Sequence, residues 1–340
     1  MMPAFIAIGE TIVEVMRDTV GVGLDVLGTF VGPYPSGGPA IFADSAAKLG
    51  MATGLIGCVG DDDFGRCFRA RCSRDGIDTT YLATVRGATT GTAFVTYLAD
   101  GDRRFLFHLA DSAAGRLDPD ALDPAYFAQA QVVHISGSTL AINERCHATC
   151  VRAARLGKEA GAWVSFDPNL RPELLRGRSV AEVCGPILEL ADIILPSGAE
   201  AAMLAGSAYD GSSESACYAL MASHRVRLVV LKEGAAGSTA YSSREGGNLA
   251  VDAQSPPTMA GGQPVHVDSF PVTEVDPTGA GDCFAAVLLV CVRSGLDLPA
   301  ALRRANAAGA LSTTVRGPME GTSTVPELDR FLAGKGALSH

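Results

Sequence analysis

Aromatic residues are scarce in this chain, at 6% of 340 positions with a single tryptophan. A core built without large rings must be filled by aliphatic and small side chains. The hydrophobic fraction of 47% is enough for that. Abundant Ala and Gly suit helices packed closely on a sheet. No basic block of five or more occurs, and 27 Lys and Arg against 37 Asp and Glu give a formal charge of −10. That balance argues against nucleic acid and anionic membrane as main partners. No Cys-x-x-Cys pair occurs, and nine cysteines are an odd number for a disulfide framework. Free thiols fit a reducing, cytoplasmic location. Cys146 and Cys150 stand one helical turn apart around His147. A buried thiol pair is the reading preferred there over metal binding. The longest apolar run, Phe284–Val292, is far shorter than the roughly 18 residues of a membrane span. The start, MMPAFIAIGE, has no basic region ahead of its apolar part, so no signal peptide is expected.

Two phosphate-binding motifs are missing as well. A P-loop needs Gly-Lys-Ser/Thr, but Gly157-Lys158 continues with Glu159 and Gly334-Lys335 with Gly336. A dinucleotide fingerprint needs a third glycine where Phe284 stands.

What is present is an alternation of strands and helices. AFIAIGE reads as a buried strand ending at Gly9, and residues 37–49 as a glycine-led helix. TGLIGCVG is a strand and DDFGRCFRARCSRDG a helix. GTAFVTYLADGDRRFLFHL breaks the pattern: two alternating strands flank Asp100-Gly101, a hairpin signal. The alternation then resumes with QVVHIS, a helix over 139–161, AWVSFD, a helix over 179–190, DIILP, helices across 198–224, and RLVVLK. Short strands are expected within 237–275, and closing helices at 279–294, 299–315 and 326–333. The expected fold is α/β, a mostly parallel sheet covered on both faces. Ligands bind such sheets beyond the carboxyl ends of the strands. The hairpin at 91–109, with apolar strands near 12–32, is expected to form a small lid.

The stretch EVDPTGAGDCFAAVLL, Glu274–Leu289, carries the chemistry. Pro277 and Thr278 mark a turn, and the apolar run after Asp282 has helical length. Gly279, Ala280 and Gly281 therefore sit at a helix entrance, where backbone N–H groups lack partners and the dipole is positive. Small residues let an anion, above all a phosphate, approach those donors. A carboxylate placed there repels a phosphate. Asp282 makes sense if it takes a proton from a hydroxyl that attacks the phosphate. The bland alternative is a tight turn with an ordinary first-turn acid.

These residues resemble the ribokinase-like (PfkB) carbohydrate kinase family. SGGPAIFADSAAKLGMATGLIGCVGDDDFG, residues 36–65, and DPTGAGDCFAAVLL, residues 276–289, carry the resemblance. GETIVE, FDPNLRPELL, LPSGAE, VVLKEGAAGS and ANAAGA support it in the family's order, over residues 4 to 333. The resemblance implies a three-layer α/β/α kinase domain over 1–333, lid segments at 11–36 and 88–110, and a tail at 334–340. It implies that Asp282 is the catalytic base and that Gly279, Ala280 and Gly281 form the anion hole for the γ-phosphate. Glu200 would organise a magnesium–phosphate region through water, although Ser197 stands where the family usually has Asn. Lys232, Gly234 and Gly237 would lie near ATP, and Asn306 beside the adenine. Each of these, alone, also reads as an ordinary surface or helix residue.

On the sugar side, Glu14 resembles the acid that grips sugar hydroxyls, since a carboxylate accepts two donors. Gly37 and Gly38 resemble glycines that let a sugar approach the backbone, and Asn169 joins them. Ile41 stands where many members have Asn. Arg171 resembles an arginine of the fructokinase and 2-keto-3-deoxygluconate kinase branches, where a fork suits a carboxylate or phosphate. The second arginine of those branches falls on Leu109, which speaks against an acid sugar. Arg103 and Arg104 supply the charge if the hairpin register differs. The expected activity is transfer of the γ-phosphate of Mg²⁺–ATP to a primary hydroxyl of a ketohexose such as tagatose or fructose, with K⁺ as an additional cation and a homodimer as the assembly. The alternatives are a 2-keto-3-deoxygluconate kinase, a nucleoside kinase stacking a base on Phe105 and Phe107, and a silent sugar- or nucleotide-binding sensor.

Overall fold

The computed structural model describes residues 2–98, 103–206, 211–224, 226–242 and 262–336. β1 (Phe5–Ile8) is buried throughout and is followed by β2 (Ile12–Arg17) and β3 (Phe30–Ser36). Next come α1 (Gly38–Lys48), β4 (Thr53–Gly60), α2 (Asp63–Arg74) and β5 (Leu82–Val85). β6 (Gly91–Tyr97) and β7 (Arg103–His108) pair antiparallel, as the alternation predicts. Their Asp100-Gly101 turn lies outside the described residues. α3 (Pro124–Phe127), β8 (Val132–Ser136), α4 (Gly137–Ile142), α5 (Glu144–Glu159) and β9 (Trp163–Asp167) follow. Then come α6 (Pro172–Leu175), α7 (Val180–Leu188), β10 (Ile193–Ile194), α8 (Gly198–Ala205) and α9 (Ser213–Ser223). β11 (Leu228–Lys232), β12 (Ser238–Ser242), β13 (Val265–Val267), α10 (Ala280–Arg293), α11 (Leu298–Ser312) and α12 (Val325–Gly336) complete the chain.

The main sheet runs β13-β12-β11-β10-β9-β8-β1-β4-β5. It is parallel from β11 to β5; β12 alone runs against it, and β13, antiparallel to β12, returns to the common direction. Strand side chains alternate between two apolar layers. Phe5 and Ala7 join residues of α1, α10 and α11, whereas Ile6 and Ile8 join residues of α4, α5 and α7. This is the three-layer ribokinase-like α/β fold. The chain leaves β1 for β4 on one side and returns to β8 on the other, so the carboxyl ends of β1 and β8 border a topological switch point. A second sheet, β3-β2-β6-β7, stands over that end as the lid.

Three expectations need correction. The helix expected over 139–161 is two helices, broken at Asn143, whose side-chain oxygen accepts from Cys146 N at 2.9 Å and caps α5. β5 has no counterpart in the sequence reading. Its short run LATV carries exposed residues in the middle and too few positions to show a period. α12 runs Val325–Gly336, longer than the helix expected at 326–333.

Candidate functional site

The site grows from strand ends and helix starts. Beyond β1, Glu10 is buried and accepts hydrogen bonds from Ser138 Oγ at 2.7 Å and from Thr139 Oγ1, both just past β8. Asp167 ends β9 and pairs with Lys232, the last residue of β11, at 2.5 Å. Gly37 precedes α1 at φ 112°, where a Cβ would meet Glu10 O at 2.2 Å, so only glycine fits. The lid contributes Glu14 from β2 and Arg103, Phe105 and Phe107 from β7. Together these residues enclose a cavity of about 310 Å³.

Asp282 lies in the first turn of α10 and opens into this cavity. Only 8% of it is exposed, and its Oδ1 has no hydrogen-bond partner. Burial, reinforced by the nearby charge of Asp167, pushes its pKa up to about 7, while Lys232 pulls the other way. Glu14 is similar. Its Oε1 accepts from Ser36 Oγ at 2.6 Å and its Oε2 has no partner. Burial raises it to about 7, against the Ser36 hydrogen bond and with the help of Asp276. Burial also raises Glu10. Lys232 shows the opposite balance. Burial alone lowers an ammonium, but Asp167 and Glu200 outweigh it and its pKa rises. It stays charged.

A second cavity, about 460 Å³, adjoins the first and shares Lys232, Pro277 and Gly281 with it. Its walls include Gly234, Gly237, Phe270, Phe284 and Asn306. Gly237 has φ 108°, and a Cβ there would sit 2.1 Å from Val267 O. Asn306 Nδ2 donates to Val267 O at 2.8 Å, tying α11 to the end of β13. Gly279, at φ 84°, caps α10 from the left-handed region and lines the first cavity. The entrance of α10 thus separates a polar cavity from a second, mostly apolar one.

The sequence-predicted residues fall as follows. Asp282, Gly279, Gly281, Arg171, Glu14, Gly37, Gly38, Asn169, Glu200 and Lys232 all line the first cavity. Ala280, Gly234, Gly237 and Asn306 line the second. Glu200 is a turn-builder as well as a wall residue. Its Oε1 accepts from Leu170 N at 2.8 Å and its Oε2 from Ser197 N at 2.7 Å. Leu109 is buried and lines the first cavity, so the missing arginine is truly missing there. Arg103, the first residue of β7, supplies positive charge to the same cavity, whereas Leu109 follows the strand's end. The guanidinium carbons of Arg103 and Arg171 lie 5.9 and 5.6 Å from the Phe105 ring centre. Phe105 and Phe107 stack on each other at 5.3 Å. Ile41 packs towards Gly279, within 3.1 Å of a Cβ built there.

Sequence reasoning missed Glu10 and Asp167. Asp167 ends the buried strand β9 and Glu10 follows the buried strand β1 by two residues, and a place at the carboxyl end of a buried strand is the signal that finds them. It also missed that Asp276 does more than start a turn. Its Oδ2 accepts from Gly317 N at 2.8 Å, joining two loops far apart in sequence.

The comparisons with known proteins agree with this geometry. The family description pfkB family carbohydrate kinase matches residues 2–325. Fructokinase-1 of Zea mays is 32% identical over 335 residues, 96% of this chain and 97% of that one. An E. coli protein carrying the name ribokinase II, solved with ATP and Mg²⁺, is 37% identical, with 98% and 99% of the two chains covered and a TM-score of 0.86. Fructokinase from Vibrio cholerae, solved with fructose, ADP and calcium, is 27% identical over 97% and 99% of the chains, with a TM-score of 0.78.

Proposed function

The chain belongs to the pfkB family of carbohydrate kinases and is an ATP-dependent sugar kinase, and from that premise we propose that its acceptor is a ketohexose, fructose first. One observation carries the reading. A buried aspartate with an unpartnered oxygen sits at the start of α10, between a polar cavity and an apolar one. A neutral sugar suits the polar side, where Glu14 Oε2 is free to accept a hydroxyl. The Zea mays relative is named a fructokinase and the Vibrio cholerae structure holds fructose and ADP, which favours fructose over tagatose. Leu109 leaves an acid sugar without its second arginine.

In this reading the base of ATP enters the second cavity near Phe270 and Asn306, with Gly234 and Gly237 passing close to its phosphates. The N–H groups of Gly279, Ala280 and Gly281 receive the γ-phosphate, and Lys232 adds a fixed positive charge beside it. Asp282 accepts the proton of the sugar hydroxyl as that oxygen attacks the phosphorus in line. Arg171 faces the same cavity and balances charge developing on the transferred group. Asn169, Gly37 and Gly38 hold the sugar against the sheet.

Among the described residues no group of three or more His, Cys, Asp or Glu could hold a metal ion. Both Glu200 oxygens already accept backbone hydrogen bonds. Such a site fits Mg²⁺ that arrives on the nucleotide and keeps most of its waters, with Glu200 and Asp167 facing it through water. When bound, the ion neutralises phosphate charge.

A homodimer and a cytoplasmic location complete the proposal. The lid leaves Leu27 98% and Leu106 47% exposed, apolar surface that a second copy can cover. All nine cysteines are free thiols, and no helix among the described residues is long and apolar enough to cross a membrane. The test is ADP release in buffer with Mg²⁺ and K⁺ against fructose, tagatose, psicose, sorbose, 2-keto-3-deoxygluconate and adenosine. Release strongest with a ketohexose, fructose above the others, is the expected result. Release with 2-keto-3-deoxygluconate or adenosine alone would overturn the substrate assignment.

A further inference from the structure

Tyr97, the last residue of β6, makes the contact between the lid and the turn that leads into α10. Its hydroxyl donates to Asp276 Oδ1 and lies 3.1 Å from Thr278 Oγ1. Thr278 N donates to the same Asp276 oxygen at 2.9 Å. Gly317 N donates to the other oxygen at 2.8 Å. One carboxylate, 1% exposed, therefore gathers the lid, the turn and the loop 316–323. Thr278 immediately precedes Gly279, the start of the anion-binding entrance.

The same lid sheet carries the sugar-facing acid. β2 pairs with β6 in register, Val13 with Thr92 through Met16 with Val95, so Glu14 and Tyr97 belong to one rigid ribbon. A lid swung away from the main sheet cannot keep the Tyr97 hydroxyl on Asp276. The carboxylate oxygen would then keep only Thr278 N, and the Thr278 hydroxyl would lose a partner. Two other lid contacts reach loop 316–323, and of these the Arg316–Asp18 pair shares no atom with the turn, whereas Gly317 also donates to Asp276. Arg316 Nη1 pairs with Asp18 at 2.8 Å, and Gly317 packs so tightly on Tyr34 that a Cβ would come within 2.8 Å of its ring.

We propose that Tyr97 is a positioning residue that couples closure of the lid over the sugar to the geometry of the anion-binding turn Asp276–Gly279. The inference rests on the kinase reading above. It gives the enzyme a reason not to hydrolyse ATP when no sugar is present: the γ-phosphate cradle is fully shaped only when the ribbon bearing Glu14 has closed.

The experiment is Tyr97→Phe, which keeps the ring and removes the hydroxyl, beside Asp18→Ala, which removes a lid contact that bypasses the turn. Loss of a hydrogen bond to a charged group predicts a fall in kcat of roughly tenfold to a hundredfold for Tyr97→Phe. Affinity for a non-hydrolysable ATP analogue stays within about twofold, and sugar-independent ATP hydrolysis rises relative to sugar phosphorylation. Asp18→Ala keeps kcat within about twofold, as an exposed ion pair contributes little. A second readout needs no turnover: hydrogen exchange at the Thr278 amide speeds up by about tenfold or more in Tyr97→Phe and not in Asp18→Ala. Unchanged kcat with unchanged exchange, or equal effects in both variants, would overturn the coupling. A wild-type protein silent with every sugar would instead overturn the kinase reading, while the exchange result would still decide whether Tyr97 shapes the turn.

Discussion

Asp282 and Glu14 are two carboxylic acids held out of water, each with one oxygen left without a partner. Burial, reinforced by the charge of Asp167 beside Asp282 and of Asp276 beside Glu14, raises both to about 7. For Asp282 the shift suits a proton acceptor working near neutral pH. The sign follows from the role. A base must be deprotonated, so kcat/KM should fall as pH drops below about 7 and level off above it. The slope should reach about tenfold per unit, steepening where Glu14 protonates in the same range. A flat profile between pH 5.5 and 8 would contradict the assignment. At this scale the sequence was informative where chemistry is local. A helix entrance of small residues followed by an acid is readable without a structure. The strand-end position could have flagged Glu10 and Asp167, but their roles and that of Tyr97 were not readable, because they come from Ser138, Lys232 and Asp276, partners 65 to 179 positions away.

Among the elements, α1 shows how a helix start becomes part of a site. Gly38 begins α1, and a Cβ there would lie 2.9 Å from Asp282 Oδ1 and 3.0 Å from Asn169 Nδ2. Alanine is at home in a helix, so Gly38→Ala probes space and not conformation. It should lower kcat/KM at least about tenfold through displaced catalytic geometry, with Tm within about 2 °C of wild type. Unchanged kinetics would mean that Gly38 does not border the reacting groups. Elements with a clear period and clear ends were legible: β1, β4, β8, β9, α10 and the β6–β7 hairpin. The break between α4 and α5 was not, because Ile142 and Glu144 both fit a helix and only the Asn143 cap separates them. β5 was hidden for a related reason: it is an edge strand whose ladder partner, β4, supplies the order its own four residues lack.

The whole molecule is a parallel sheet with a lid over its switch point, and the two cavities meet across the start of α10. Alternating strand and helix signals disclosed the layers. They could not disclose how the lid ribbon sits, since that depends on contacts such as Tyr97 with Asp276 and Gly317 with Tyr34. Nor could they show that Arg103 lines the same cavity as Leu109. The central claim is that this arrangement passes a phosphoryl group from one cavity to the other, with Asp282 taking the acceptor's proton. The most direct measurement compares wild type and Asp282→Asn for fructose-dependent ADP release, with ATP binding followed separately. The expected result is turnover lowered by about a thousandfold or more, with ATP affinity kept within a few-fold. Near-normal turnover in Asp282→Asn would contradict it.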